Sequence, residues 1–387
     1  MDFLSKRIID KIPWRFQPYF GYRPKSEVSI TKYFKNETFP NLDNEFCKKI
    51  SNKKDIYISK FKCYNEIVHE NHSANKRKAI DDCFVFGLTN SSYIQHEWIP
   101  SYITSNNLLL AEASVDPKKG RGVNPIFSLK DIGEPERIKG KSLVLCEKGC
   151  HNGYYHWLAE LIPKFLVLEK YGLSISDFDY VLVNGPSMKF KEDTLRYLKI
   201  PKEKVRYTEA EQLYKFDFMV GVSGVVYHKE GIDFLRKTYL GEGVLKKFRK
   251  IYLTRSKANH RKIIGEDKLS EILISDGFET IDFADYSVNE QAQFMASAKV
   301  IIAPHGAGFS NLIFASQGTK VFEILEDNFV NTNFLLWSSI MNLDYHCYVG
   351  KAVKPESGKI YKRPGFDNIG LGDHFYKRLN EFLGELE

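Results

Sequence analysis

A chain of 387 residues with 43% hydrophobic and 14% aromatic content has apolar material for two well-packed cores, which excludes a largely disordered or low-complexity protein. Its net charge of +7 is local: residues 1–80 hold seventeen Lys and Arg against nine Asp and Glu, so the remainder is near neutral, and no nucleic-acid-binding pattern accompanies the excess. The six cysteines contain no CxxC pair, arguing against a zinc knuckle or a dithiol motif, and no apolar run approaches the roughly eighteen residues of a membrane span.

In chain order, the first predicted element is a helix over Met1–Phe16, with Phe3, Leu4, Ile8 and Ile12 on one side and Lys6, Arg7, Lys11 and Arg15 around the rest. An amphipathic basic helix of this kind either docks on its own domain or lies on an anionic membrane surface. The start of the sequence lacks a signal-peptide pattern, so the expectation is a cytoplasmic protein, peripheral at most to the inner face of the plasma membrane. The rest of residues 1–140 mixes short β-like runs, such as Asp55–Ile58 and Cys83–Phe86, with turn-rich charged stretches, and no function is legible there.

A strand–helix rhythm begins at Ser142–Cys146 and continues through a helix over Tyr154–Tyr171, a strand at Tyr180–Val183, a helix at Lys191–Leu198, a strand at Phe216–Val220 and a long helix at Glu230–Arg249. A second series follows: strand Ile251–Thr254, helix Glu266–Ser275, strand Thr280–Phe283, helix Val288–Ala298, strand Lys299–Ala303, helix Gly308–Ala315 and strand Lys320–Leu325. Alternation of this kind implies α/β architecture with parallel sheets. Two series joined by a long helix predict two Rossmann-like, doubly wound domains facing a central cleft: residues 1–245, then 246–350, with a loop and final helix over 351–387. Such sheets bind ligands at the carboxyl ends of their strands.

Four segments carry candidate chemistry. Pro304-His305-Gly306-Ala307-Gly308-Phe309-Ser310-Asn311 follows a strand and opens a helix, where bare amides and the helix start suit a diphosphate; the same glycines would also serve a tight turn alone. Arg255, Lys257, His260, Arg261 and Lys262 cluster beyond the strand Ile251–Thr254: either a solvated basic loop, or a site where Arg255, reinforced by Lys257 and Arg261, binds phosphate oxygens and stabilises the charge of a departing nucleotide. Glu323, inside the apolar strand Lys320–Leu325, either pairs internally or accepts hydrogen bonds from ribose hydroxyls. In the first series, His156 and Glu160 share a helix face with Lys164 one turn on, and either act as a base and its orienting carboxylate or make a structural contact at a capped helix start. His151 is a second candidate base, while Asn152, Tyr155 and Trp157 are candidates for holding sugar. No metal site is expected, because Asp177 and Asp179 precede their strand at the amino end of the sheet.

The ordered set Asn152-x-x-x-His156-Trp157-x-x-Glu160-x-x-Pro163, Tyr252-Leu253-Thr254-Arg255 with Arg261, Pro304-His305-Gly306-Ala307-Gly308-Phe309-Ser310-Asn311, and Val321-Phe322-Glu323-Ile324 resembles glycosyltransferase family 61 over about residues 142–326. The resemblance implies a GT-B-like fold, inverting single displacement without a bound metal, and contact of Arg255, Arg261 and the His305–Asn311 loop with a nucleotide-sugar donor. It also implies a UDP-linked sugar, a glycan or lipid-linked glycan acceptor, no separate cofactor, and kinship with bacterial members that build capsular or surface polysaccharide. Two alternatives stand beside it: a GT-B-like polysaccharide pyruvyltransferase, and a non-catalytic subunit that binds nucleotide sugar or glycan.

Overall fold

The computed structural model describes residues 26–35, 42–50, 55–57, 62–64, 76–78, 83–96, 99–111, 113–114, 124–129, 132–223, 229–243, 246–355 and 365–386. The basic helix expected over Met1–Phe16 lies outside them. The described chain separates into two compact units, one from residues within 1–53 and 80–231 and the other from residues within 54–79 and 232–387. Each unit is built around its own large sheet and is of mixed α/β type.

In the first unit, four parallel strands lie in the order Val205–Thr208, Tyr180–Asn184, Glu136–Val144, Tyr214–Val222. Their register sets Leu143 beside both Val181 and Val220, and all three are fully buried, as a sheet covered on both faces requires. In sequence these strands read 3-2-1-4, so the order reverses between Glu136–Val144 and Tyr214–Val222. Beyond Tyr214–Val222 the sheet turns antiparallel, through Cys83–Thr89 and Ser92–His96, and on through Ile99–Ile103. That extension, unreadable in the sequence, packs Phe86, Leu88, Tyr93 and Tyr102 against Val144 and Met219.

In the second unit, the parallel strands lie in the order Glu279–Ile281, Arg249–Leu253, Ala298–Pro304, Lys320–Glu326, Asp344–Val353. This is the doubly wound sequence 2-1-3-4-5, with its reversal between Arg249–Leu253 and Ala298–Pro304. Ser287 and Glu290 cap the helix Val288–Ser297 reciprocally, the Ser–x–x–Glu box that fixes its start. The final helix, Asp373–Gly384, buries Phe375, Leu379 and Phe382 on one face, with the Phe382 ring tilted against that of Phe322 of the sheet at 4.9 Å.

Three elements differ from the sequence reading. The helix expected over Glu230–Arg249 is Lys229–Leu240, stopped by Gly241 in the left-handed region at φ 72°. The helix expected from Gly308 is a 3-10 helix, Ala307–Phe314. The helix expected over Tyr154–Tyr171 is a short turn Tyr154–His156, a π turn Trp157–Leu161 and an α-helix Lys164–Lys170. Pro163 has no N–H for the carbonyl of Ala159, and the Ile162 amide instead reaches Trp157 O at 3.0 Å.

Candidate functional site

In the second unit, the two strands that flank the reversal lead directly into Arg255 and Gly306. Gly306 has extended backbone, and a Cβ placed on it would fall 1.9 Å from Nη1 and 2.5 Å from Cζ of Arg255. The guanidinium therefore occupies the space that only glycine leaves open. The 3-10 helix Ala307–Phe314 starts there with no side-chain cap, so its leading amides stand at the same carboxyl edge. Arg255 donates from Nη2 to the carbonyl of His260 at 3.2 Å, but its Nε, like that of Arg261, is buried with no hydrogen-bond partner among the described residues. Burial first, and Arg261 second, pushes the Arg255 guanidinium down to about 10, still well on the charged side of neutrality. Two cationic forks with bare donors at a sheet edge form a site short of an anion.

The neighbouring candidates divide. Arg261, held at φ 55° with its amide on Asp367 O, lies over the Phe329 ring at 5.6 Å. Lys257 is half exposed and paired with Asp285 at 2.5 Å, so it is a surface ion pair. His260 is not the cation the sequence suggested, because burial, then Arg261 and Arg255, push it down to about 4. Ala307 is exposed, Gly308 has ordinary room for a Cβ, Ser310 is fully buried, and buried Asn311 donates to Gln291 Oε1 at 2.7 Å and to Gly308 O at 2.9 Å. Of the two readings of Glu323 the structure has the internal one: it is fully buried, one oxygen on Nδ1 of His305 at 2.5 Å and the other on the hydroxyl of Tyr345. Sequence reading missed Tyr345; the signal available was the need of a buried carboxylate in an apolar strand for a polar partner one strand away.

At the end of the Glu323 strand, burial pushes the carboxyl of Glu326 up to about 7 against the pull of Arg261. A carboxyl that holds its proton more tightly folded than unfolded stabilises fully below its ordinary value of 4.5, and loses that contribution as pH rises through about 7. Glu326→Gln accordingly melts above the wild type at about pH 8 and level with it at about pH 4, measured by thermal denaturation in matched buffers.

In the first unit, the loop that leaves Glu136–Val144 at the reversal runs through Gly149, His151 and Gly153 into the Tyr154–His156 turn. Nδ1 of His156 lies 2.8 Å from Oε2 of Glu160 across the π turn. A carboxylate only accepts, so Nδ1 carries the hydrogen and Nε2 is the basic position. The ring rests on two glycines: a Cβ at Gly149 would stand 2.5 Å from its Cδ2, and one at Gly153 2.9 Å. His156 is half exposed and Glu160 nearly buried, the arrangement of an accessible base with a sheltered orienting group. His151, half buried, is held below its ordinary range by burial and then by Lys191 and His156. Asn152 is exposed, and the Tyr155 ring meets that of His156 edge-on at 5.3 Å. Trp157, read from the sequence as a sugar-holding residue, is fully buried and donates Nε1–H to Thr194 at 2.7 Å, so the structure places it in the core.

Side chains that a sequence scan assigns to solvent hold this loop. Nζ of Lys164 donates to Glu147 Oε2 and Val222 O, each at 2.9 Å, rather than extending the His156 face. Asn184 brackets Glu147, accepting from its amide at 2.8 Å and donating to its carbonyl at 3.0 Å. Fully buried Lys191 donates to the carbonyls of His151, Asn184 and Pro186 at 2.8 to 2.9 Å. Lys191→Met strips three backbone carbonyls of their donor, that of Asn184 buried and those of His151 and Pro186 partly so, and lowers stability by on the order of 2 kcal/mol, read from the urea midpoint.

Among the described residues, no group of three or more His, Cys, Asp or Glu is placed to hold a metal ion, and no helix is long and apolar enough to cross a membrane. Asp177 caps Ser174 and Asp179 accepts from the Lys141 amide at 2.8 Å, both at the amino end of the sheet.

Comparison with known proteins returns a match to the family model Glycosyltransferase 61 over residues 154–322. The chain is similar to the beta-1,2-xylosyltransferase RCN11 of Oryza sativa subsp. japonica, 38% identical over 64 residues, and to a beta-1,2-xylosyltransferase of Arabidopsis thaliana, 35% identical over 63 residues. Each match covers 16% of this chain and 12% of the relative's length. The matched stretch, residues 154–322, is the one that holds His156, Arg255 and the Gly306 turn.

Proposed function

We propose that this protein is an inverting, metal-independent glycosyltransferase of GT-B-like architecture that moves a sugar from a nucleotide-sugar donor, UDP-linked, to a glycan or lipid-linked glycan acceptor in the building of surface polysaccharide. The observation that carries the reading is the contact of the Arg255 guanidinium with the bare Cα of Gly306 at the reversal of the 2-1-3-4-5 sheet. There, two forks and the amides of a helix start await an anion with several oxygens. The family-model match over residues 154–322 supports sugar transfer, and the names of the plant relatives put pentosyl donors in the panel worth testing.

The chemistry asks for little more. An acceptor hydroxyl oxygen attacks the anomeric carbon as the bond from that carbon to the diphosphate oxygen breaks, its electron pair leaving with the nucleotide. Arg255 and the leading amides of Ala307–Phe314 stabilise the charge on the diphosphate. The acceptor proton passes to Nε2 of His156, with Glu160 steadying the imidazolium. The test is release of nucleotide from UDP-linked hexoses, N-acetylhexosamines and pentoses, with and without oligosaccharide acceptors and in the presence of a chelator. Acceptor-dependent release that survives chelation is the expected result. Stabilisation of the fold by phosphoenolpyruvate, with no response to any nucleoside diphosphate or nucleotide sugar, would sink the reading.

A further inference from the structure

The strand Lys320–Glu326 is paired on one side with Ala298–Pro304 and on the other with Asp344–Val353. Glu323 sits at its centre with Ala303 and Cys347 as its register neighbours, and no part of it reaches solvent. Such a carboxylate is expensive unless both oxygens are satisfied, and here both are: Oε1 by Nδ1 of His305, and Oε2 by the hydroxyl of Tyr345. Tyr345 is buried, and that burial together with the Glu323 carboxylate pushes its phenol well above the ordinary value, so it stays protonated and donates. With one oxygen receiving the phenol, the other receives Nδ1–H, which fixes the tautomer of His305.

The ring is also fixed in space. It packs against Phe334 at 5.0 Å and Phe329 at 5.6 Å, and its own backbone amide is held by Ile324 O at 2.8 Å. Nε2 is the one ring nitrogen left without a partner among the described residues. His305 immediately precedes Gly306, and so stands next to the turn that receives Arg255.

We propose that Tyr345, Glu323 and His305 form a hydrogen-bonded relay in which Tyr345 and Glu323 are positioning residues and His305 presents Nε2–H to the departing diphosphate. The inference rests on the donor-site reading above and adds the group that replaces part of a cation's work at the leaving group. In the complex both ring nitrogens carry hydrogen: Nδ1–H is held by Glu323 and Nε2–H by a diphosphate oxygen, with the buried carboxylate balancing the ring's charge. When the anomeric carbon–oxygen bond breaks, the electron pair stays on the diphosphate. The hydrogen bond from Nε2 strengthens as that charge develops, and no proton need leave the ring. The arrangement makes His305 matter more to the transition state than to the bound ground state.

The experiment is long-range proton–nitrogen NMR of histidine-labelled full-length protein, with UDP and GDP as probes, on the wild type, Tyr345→Phe and Glu323→Gln, with His305→Asn to assign the signals. The free wild type shows His305 with hydrogen on Nδ1, and Glu323→Gln, whose single amide oxygen must serve either Tyr345 or His305, weakens that preference. Adding either diphosphate brings hydrogen to Nε2 as well. In transfer assays, Tyr345→Phe lowers kcat about tenfold and Glu323→Gln about a hundredfold, while KM for the donor moves less than about threefold, since a loss confined to the transition state shows in kcat. A free protein with hydrogen on Nε2 alone, or a Glu323→Gln spectrum identical to wild type, overturns the relay. Because these free-state spectra need no ligand, they decide the relay even if no nucleotide binds, an outcome that would instead count against the donor-site reading. Should Glu323→Gln fail to fold, Tyr345→Phe, which removes only a hydroxyl, carries the same test: an unchanged kcat overturns the proposal.

Discussion

Replacing Arg255 by alanine lowers kcat/KM for sugar transfer about a thousandfold, equivalent to about 4 kcal/mol of transition-state stabilisation. The side chain packs against the Gly306 turn, and its one hydrogen bond among the described residues is Nη2 to the carbonyl of His260 at 3.2 Å, so removal costs the fold little beside what it costs the ligand. Arg255→Lys keeps a charge but not a planar fork, and recovers only a minor part of the loss. Steady-state kinetics with the donor as varied substrate, alongside melting curves within a few degrees of the wild type, is the measurement. A variant that transfers sugar at near wild-type efficiency removes Arg255 from the mechanism.

The second large effect falls on the other unit. His156→Ala lowers kcat by about 10²- to 10⁴-fold, the range associated with loss of a general base, while donor KM stays close to the wild-type value. Glu160→Gln leaves a partner on Nδ1 that no longer carries a balancing charge, and falls between the two. Because Gly149 and Gly153 hold the ring in place, Gly149→Ala imitates the loss: its Cβ would stand 2.5 Å from the His156 ring, at a backbone position with φ 82°. Single-turnover kinetics separates the chemical step from binding in each variant.

What the sequence disclosed follows from how local each determinant is. The strands Tyr180–Asn184 and Lys320–Glu326 announce themselves as short apolar runs between turn signals, and the helix Val288–Ser297 by its Ser287–Glu290 box. The Gly306 turn and Arg255 were legible as candidates because each directly follows such a strand. Other determinants are contacts between distant residues. Trp157 looks like a sugar platform until Thr194, on another helix, takes its N–H. Lys164 and Lys191 give no sign in the sequence of being buried, until carbonyls at the ends of the strands Tyr214–Val222 and Tyr180–Asn184 and in the His151 loop converge on them. The strand Asp344–Val353, which supplies Tyr345, mixes His, Cys and Tyr with aliphatic residues and shows no clean period to a scan. The antiparallel side of the first sheet lies in residues 1–140, where short strands separated by charged turns give no rhythm.

A diphosphate site made by Arg255 against the bare Cα of Gly306 is open to calorimetric titration of UDP and of uridine into the wild type and Gly306→Ala. UDP binds the wild type far more tightly than uridine does, and the alanine, pressing its Cβ into the guanidinium, abolishes this preference while the protein melts as before. Equal binding of UDP and uridine to the wild type, or UDP binding to Gly306→Ala at wild-type strength, would contradict it.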